Sequence, residues 1–423
     1  MPNHGYYDEP IDDEEIVILR SMARRVREIA EHPVQDERKK LWKDLNSLRS
    51  CRIPIFFRIL DLYWPEIFPW DTTLKTKSGW ARYYEDYLFK LIWHWENLKD
   101  DFITEPVVPY ATAGSFGRML MPKKYVIPGY NSGAGAYKVE PVLVPAMSPA
   151  SVFIDTDVAV DWEETGNRQM WLSEVFDGIL TPQRKTPRPT TGYFDWFCEV
   201  RGMENALTDL VVRPEWVHEI FQHIADFQLS KIRLLEDQNA FALNNREECY
   251  NGGHSHTDEL PAPGFDGEHV RAKDLWGFSA AQAAVSISPD MHGEFVTRYE
   301  EQYLKETGLN AIACCETVDY KMDLYRQIPN LRRISISTFN DFEKAANEIG
   351  TDYIYSFKPR ADNIARNRWS PGLDARYLDE VLHMARGCRV EIVNQEMITC
   401  RGEAQRIIDW CNLARETADR YSA

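Results

Sequence analysis

The segment GGHSHTDE (252–259) sets His254 and His256 one residue apart, with Asp258 and Glu259 just beyond. Imidazoles and carboxylates together suit a hard or borderline divalent cation, and the glycines free the backbone to approach a ligand. The plainer alternative is a glycine-rich surface loop whose polar groups are solvated. A second candidate is ACCE (313–316). A thiol at a strand end is a metal ligand or, if its pKa is lowered, a nucleophile. Adjacent strand residues point to opposite sides, so while strand geometry lasts only one of Cys314 and Cys315 faces the interior. The other is then a small buried apolar group. Lys358 and Arg360 follow TDYIYSF and suit a carboxylate or phosphate, or else are ordinary loop charge. Asn394, Gln395 and Glu396 follow RVEIV.

These segments lie far apart in the chain, so a fold must bring them to one place. The first hundred residues read as helical: 14–29 carries an apolar stripe at helical spacing, and further helices are expected over 35–50 and 78–98. Prolines at 54, 65 and 69 prevent the aromatic stretch 53–71 from being one regular element. That stretch is core, or a subunit contact that would make the protein a homo-oligomer. Residues 115–160 form a Gly/Pro-rich insertion. From Tyr193 onward strand and helix candidates alternate. YFDWFCEV, NAFALNN, AAVSIS, LNAIACC, LRRISIS, TDYIYSF and RVEIV are the expected strands. Asn340 with Glu343, and Asp374, are the expected helix caps.

Repeated strand–helix units imply a parallel sheet. No GxGxxG or GxxxxGK[ST] loop follows any strand, which excludes the usual dinucleotide and nucleotide folds. The expected fold is therefore α/β, a (β/α)8 TIM barrel over 101–423, with an N-terminal helical extension over 1–100. Its chemistry would lie just past the strand C-termini.

Composition bounds the partners. The 423 residues hold 49 Lys plus Arg against 66 Asp plus Glu, a formal net charge of −17 that would repel a phosphate backbone and argues against nucleic acid. No apolar run approaches the ~18 residues a membrane helix needs. The start MPNHGYYDEPIDDEE is acidic where a signal peptide would be basic, and eight scattered cysteines fit a reducing compartment. The expectation is a cytoplasmic protein.

Three runs, ACCETVDYKMDLYRQIPNLRRISIS, EKAANEIGTDYIYSFKP and CRGEAQRIIDWCNLARETA, resemble the uroporphyrinogen decarboxylase superfamily. With TDELPAPGFD and CCE, the closer likeness is to a corrinoid-dependent methyltransferase-like branch from anaerobic bacteria. The resemblance implies a TIM barrel and one of two chemistries, decarboxylation of a porphyrinogen or corrinoid-linked methyl transfer assisted by zinc. Of the carboxylate-gripping arginine segment of the decarboxylases, this chain keeps only Arg52 and Arg58. Of the methyltransferase ligand pattern it keeps Cys315, with Ala313 at the histidine position and Asn394-Gln395-Glu396 near the distal cysteine.

The reading is a methyltransferase or demethylase moving a methyl group between a small O- or N-methylated compound and a separate corrinoid protein. His256, Glu259 and Cys315 would hold zinc, Glu316 or Asp258 would handle a proton, and His254, Lys358 and Arg360 would bind substrate. The alternatives are a decarboxylase of a smaller carboxylated substrate and a non-catalytic barrel that binds a corrinoid or tetrapyrrole.

Overall fold

Short, fully buried strands in the second half of the chain assemble the central sheet. Trp276–Ser279, Leu309–Ile312 and Ile354–Phe357 are buried at every position, as expected for strands covered on both faces. The computed structural model describes residues 11–126 and 137–421. In order across the sheet lie Ile55–Phe57, Arg389–Asn394, Ile354–Phe357, Leu331–Ile336, Leu309–Ile312, Trp276–Ser279 and Thr190–Thr191, every neighbouring pair parallel. The chain is thus a mixed α/β protein with a seven-stranded parallel sheet. Among the described residues no pairing joins Thr190–Thr191 back to Ile55–Phe57, so closure of the sheet into a barrel is not seen.

The helices fall where long apolar periods put them: Asp13–Ala30, Val34–Asn46, Gly79–Asn97, Pro214–Asp237 and Gln405–Asp419. The last buries Ile407, Cys411, Ala414 and Ala418 completely. Leu19, Ala23 and Val26 of the first helix pack on Trp80, Tyr84 and Leu88, and onto Leu172 and Phe176. Ile55–Phe57, from the same first hundred residues, is a strand of the sheet itself. In the insertion, Gly114–Met119 pairs antiparallel with Phe153–Val160, and Lys123–Val126 with Tyr137–Glu140. Part of the expected Gly/Pro segment, 127–136, lies outside the described residues. Gly117 is required where it stands: φ is +73° and a Cβ would come within 2.3 Å of the Phe227 ring.

Several expected elements differ. YFDWFCEV is the helix Tyr193–Arg201, burying Tyr193, Phe194, Phe197 and Cys198, a spacing that is helical and that a uniformly apolar run conceals. AAVSIS forms a short 3-10 turn over Gln282–Ser286, and the true strand is the four-residue Trp276–Ser279 before it. NAFALNN has no strand pairing; Asn244 there caps the neighbouring strand by bonding both the N–H and the C=O of Trp276. Asp341, not Asn340, caps the helix Phe342–Ile349, because Asn340 Oδ1 instead accepts from the Val318 amide at 2.7 Å. Asp374 lies inside the helix Pro371–Met384 and accepts from Asn363 and Trp369. No helix among the described residues is long and apolar enough to cross a membrane.

Candidate metal centre

The strand Leu309–Ile312 stops one residue before the cysteines. Ala313 has φ +68°, a left-handed conformation uncommon for a residue with a Cβ. The alternation that would point the two thiols apart ends there. Cys314 and Cys315 accordingly turn to the same side, Sγ to Sγ 3.6 Å. The alternation that would let only one of them face inward holds while strand geometry lasts, and strand geometry does not reach them. Glu396, two residues past the end of Arg389–Asn394, brings its carboxylate to the pair, and the three ligand atoms lie within 4.8 Å of one another. Among the described residues this is the one such group of three His, Cys, Asp or Glu side chains.

Asn251 ties the cluster together. Its Nδ2 donates to the Ala313 carbonyl at 2.6 Å and to Ser335 Oγ at 3.2 Å. Its Oδ1 accepts from Cys314 Sγ at 3.6 Å and from the Gln395 amide. One buried amide thus links the loops that carry Cys314 and Glu396. The Cys315 side of the Cys314 thiol raises its pKa first, by hydrogen bonding, and burial adds to it.

The cluster opens into a cleft of about 980 Å³, lined among others by Arg58, Tyr87, Asp195, Tyr250, Phe278 and Cys314. Arg58 is fully engaged, donating to Glu248, Gln395 and the carbonyls of Cys249 and Gly252. Asp195 faces the cleft and accepts from the Gln282 and Ala283 amides at 3.0 and 2.7 Å. Burial pushes its carboxyl up to about 6 despite those bonds.

The residues expected to act do not all converge here. Glu316 is 1 % exposed and both its oxygens are taken by main-chain amides, Ala281 at 3.0 Å and Cys314 at 2.7 Å. It positions the Cys314 turn. Asp258 is exposed and pairs with Lys43 at 2.6 Å. Glu259 is held in a two-pronged pair by Arg332, and His256 faces Glu105 at 3.3 Å. His256 and Glu259 therefore do not join Cys315 in one ligand set. His254 does line the cleft, packed among Trp42, Phe56 and Phe102. Burial holds it well below the usual imidazole range, and its Nε2 accepts from the Ile103 amide at 3.1 Å, so the neutral ring carries its hydrogen on Nδ1.

The glycines of this segment serve the core. A Cβ on Gly252 would meet Arg333 at 2.8 Å, and one on Gly253 would meet Trp42 at 2.1 Å. Lys358 is buried beneath the cleft, donating to Ser356 Oγ at 2.9 Å, and burial lowers its pKa to about 8. Arg360 is exposed and lies over the Tyr377 ring at 4.6 Å. Neither cation lines the cleft.

Glu300 is 3 % exposed with one oxygen lacking a partner. Burial raises its carboxyl to about 8, and Glu316 and Asp195 push the same way. A carboxyl whose folded pKa lies above its unfolded value stabilises the fold below about pH 4.5 and loses that contribution as pH rises toward 8. Glu300→Gln should therefore raise stability by a few kcal/mol near pH 8 and by little at pH 4.5. Urea unfolding at the two pH values checks this; an equal shift at both would contradict it.

No family model matches the chain, and no curated protein matches it. Among solved structures, a methyltransferase from Methanosarcina mazei superposes with a TM-score of 0.47 at 10% identity, covering 91% of this chain and 99% of that one. The functional reading rests instead on the side chains of the cleft.

Proposed function

We propose that the protein is a metal-dependent methyltransferase or demethylase that passes a methyl group between a small O- or N-methylated compound and a separate corrinoid protein. The observation that carries this is the convergence of Cys314, Cys315 and Glu396, of which Cys314 and Glu396 line the cleft. Two thiols and a carboxylate fit zinc, and three protein ligands leave a position open, as in catalytic rather than structural sites. No hydrogen bond or ion pair holds the Glu396 carboxylate among the described residues, so it is available as a ligand. When bound, the metal supplies Lewis-acid polarisation of the methyl-bearing heteroatom.

The chain's own residues do the rest. Asn251 and Glu316 fix Cys314 from the side-chain and main-chain sides. Tyr250, tilted at 45° against Phe278 with ring centroids 4.5 Å apart, forms an apolar wall for the substrate. Asp195, titrating close to neutrality, takes the place expected for Glu316 or Asp258 as the proton carrier.

Protein purified without chelator should contain near-stoichiometric zinc by elemental mass spectrometry. It should also demethylate at least one member of a panel of methyl ethers and methylamines when a corrinoid acceptor is present. Active, folded protein devoid of metal would overturn the reading. The kcat/KM for demethylation should fall as pH rises through about 6, where Asp195 loses the proton it gives to the departing heteroatom, and Asp195→Asn should abolish that limb. An unchanged pH profile in the variant would remove Asp195 from the reaction.

A further inference from the structure

The two thiols that make the proposed ligand set are also sequence neighbours in van der Waals contact. We propose that Cys314 and Cys315 form a reversible modification site, closing to a disulfide with each other when a small-molecule disulfide enters the cleft. Their sulfurs are 3.6 Å apart already. Neighbouring cysteines in a regular strand could not meet, because their side chains diverge. Here the left-handed Ala313 ends the strand first, and residues 314–316 follow a bend with no ladder partner. The arrangement is held from outside the pair. Asn251 bonds both the Ala313 carbonyl and the Cys314 sulfur, and Glu316 grips the Cys314 amide. Both cysteines are partly exposed and Cys314 lines the cleft, whereas Cys198, Cys249, Cys400 and Cys411 are buried.

The chemistry balances as thiol–disulfide exchange. One thiolate attacks a sulfur of the entering disulfide and expels one thiol. The neighbouring sulfur then attacks the mixed disulfide and expels the second. One S–S bond forms in the protein and one breaks in the oxidant, whose two thiols leave with the two protons. The product is strained, because consecutive Cα atoms across a trans peptide lie about 3.8 Å apart, short of the ~4.4–6.8 Å usual for disulfides. Strained disulfides are the readily reduced ones. A transient, reversible closure follows, not a structural staple. Its consequence for a metal rests on the function proposed above: a disulfide has no thiolate to offer, so closing it would empty the site.

The test uses the full chain, stripped of metal, with glutathione disulfide as the probe. The tryptic peptide 306–321 contains Cys314 and Cys315 and no other cysteine. It should lose about two daltons, the two thiol hydrogens, resist alkylation, and regain both on treatment with glutathione. Closure should be at least about tenfold faster in folded protein than in protein unfolded in urea, since the fold holds the sulfurs in contact. A peptide carrying only mixed disulfides, or a rate no faster in the folded chain, would overturn the proposal. Zinc added beforehand should slow closure at least about tenfold. Closure in a protein that binds no zinc would uphold the modification and sink the metal reading. Zinc binding without closure would do the reverse.

Discussion

Single replacement of Cys314 or Cys315 by Ser, or of Glu396 by Gln, will weaken zinc binding by at least about a hundredfold. Loss of a mere outer-shell partner costs ~10–100-fold, and a direct ligand should cost no less. The comparison that gives this result its force is with His256→Ala and Glu259→Ala, which will leave the zinc content of folded protein unchanged. His256 is turned to Glu105 and Glu259 to Arg332, and neither belongs to the group of ligand atoms within 4.8 Å. Elemental analysis with a competing chelator measures all five variants on one scale. Loss of zinc in His256→Ala with retention in Glu396→Gln would invert the assignment. Asn251→Asp is a graded probe: the side chain keeps its shape, but its Nδ2 donors to Ala313 and Ser335 are lost. Cobalt substituted for zinc should show shifted visible bands in that variant while binding is retained.

The contrast between those two ligand sets marks what could be read from the sequence. ACC and NQE stand at strand ends, where a parallel α/β sheet places its chemistry, and the alternation of short apolar runs with helices marked both strands. The direction of each thiol was not legible, because it is decided by one residue, Ala313, whose positive φ has no signature in an alanine. His-x-His beside two glycines looks like a metal loop in isolation. Its actual constraints are Arg333, Trp42 and Ile103, all distant in sequence. Asn251, the residue just before those glycines, was missed, as its role is to reach two other loops and the strand Leu331–Ile336. Among the elements, the helix Tyr193–Arg201 was hidden by its apolarity, and Trp276–Ser279 by its brevity and its glycine. Residues that pack within one helix announce themselves by period. Those that bridge strands do not.

Arg333 and Glu391 make the second large expectation, a loss of about 3–5 kcal/mol when Arg333 is replaced by Met. Both side chains are fully buried, with Nε to Oε1 at 2.9 Å, and Arg333 also donates to Asn46 Oδ1 at 2.8 Å. Burial alone would push the Glu391 carboxyl up, but Arg333 and Lys358 outweigh it and hold it below its ordinary value. Its contribution is therefore present above the unfolded carboxylate range and is lost only as pH falls through the lowered folded value. Removing Arg333 leaves that carboxylate with the Ser356 hydroxyl, the Gly253 amide at 3.4 Å and the nearby charge of Lys358, itself bonded to Ser356. For an isolated ion pair, replacing the carboxylate as well, in Arg333→Met/Glu391→Leu, would recover most of the loss. Here it should not, because Lys358 is then the uncompensated charge. Its pKa, about 8 with Glu391 opposite, would fall further, and the unfolded chain would bind the proton more tightly than the folded one. Stability of the double variant should then rise with pH up to the unfolded lysine value, about 10.4. Urea unfolding between pH 6 and 9 measures the slope. A double variant as stable as the parent at pH 7, with no added slope, would show that Lys358 is not part of the arrangement. A slope that disappears on adding Lys358→Met would identify the three residues as one buried charge system beneath the cleft.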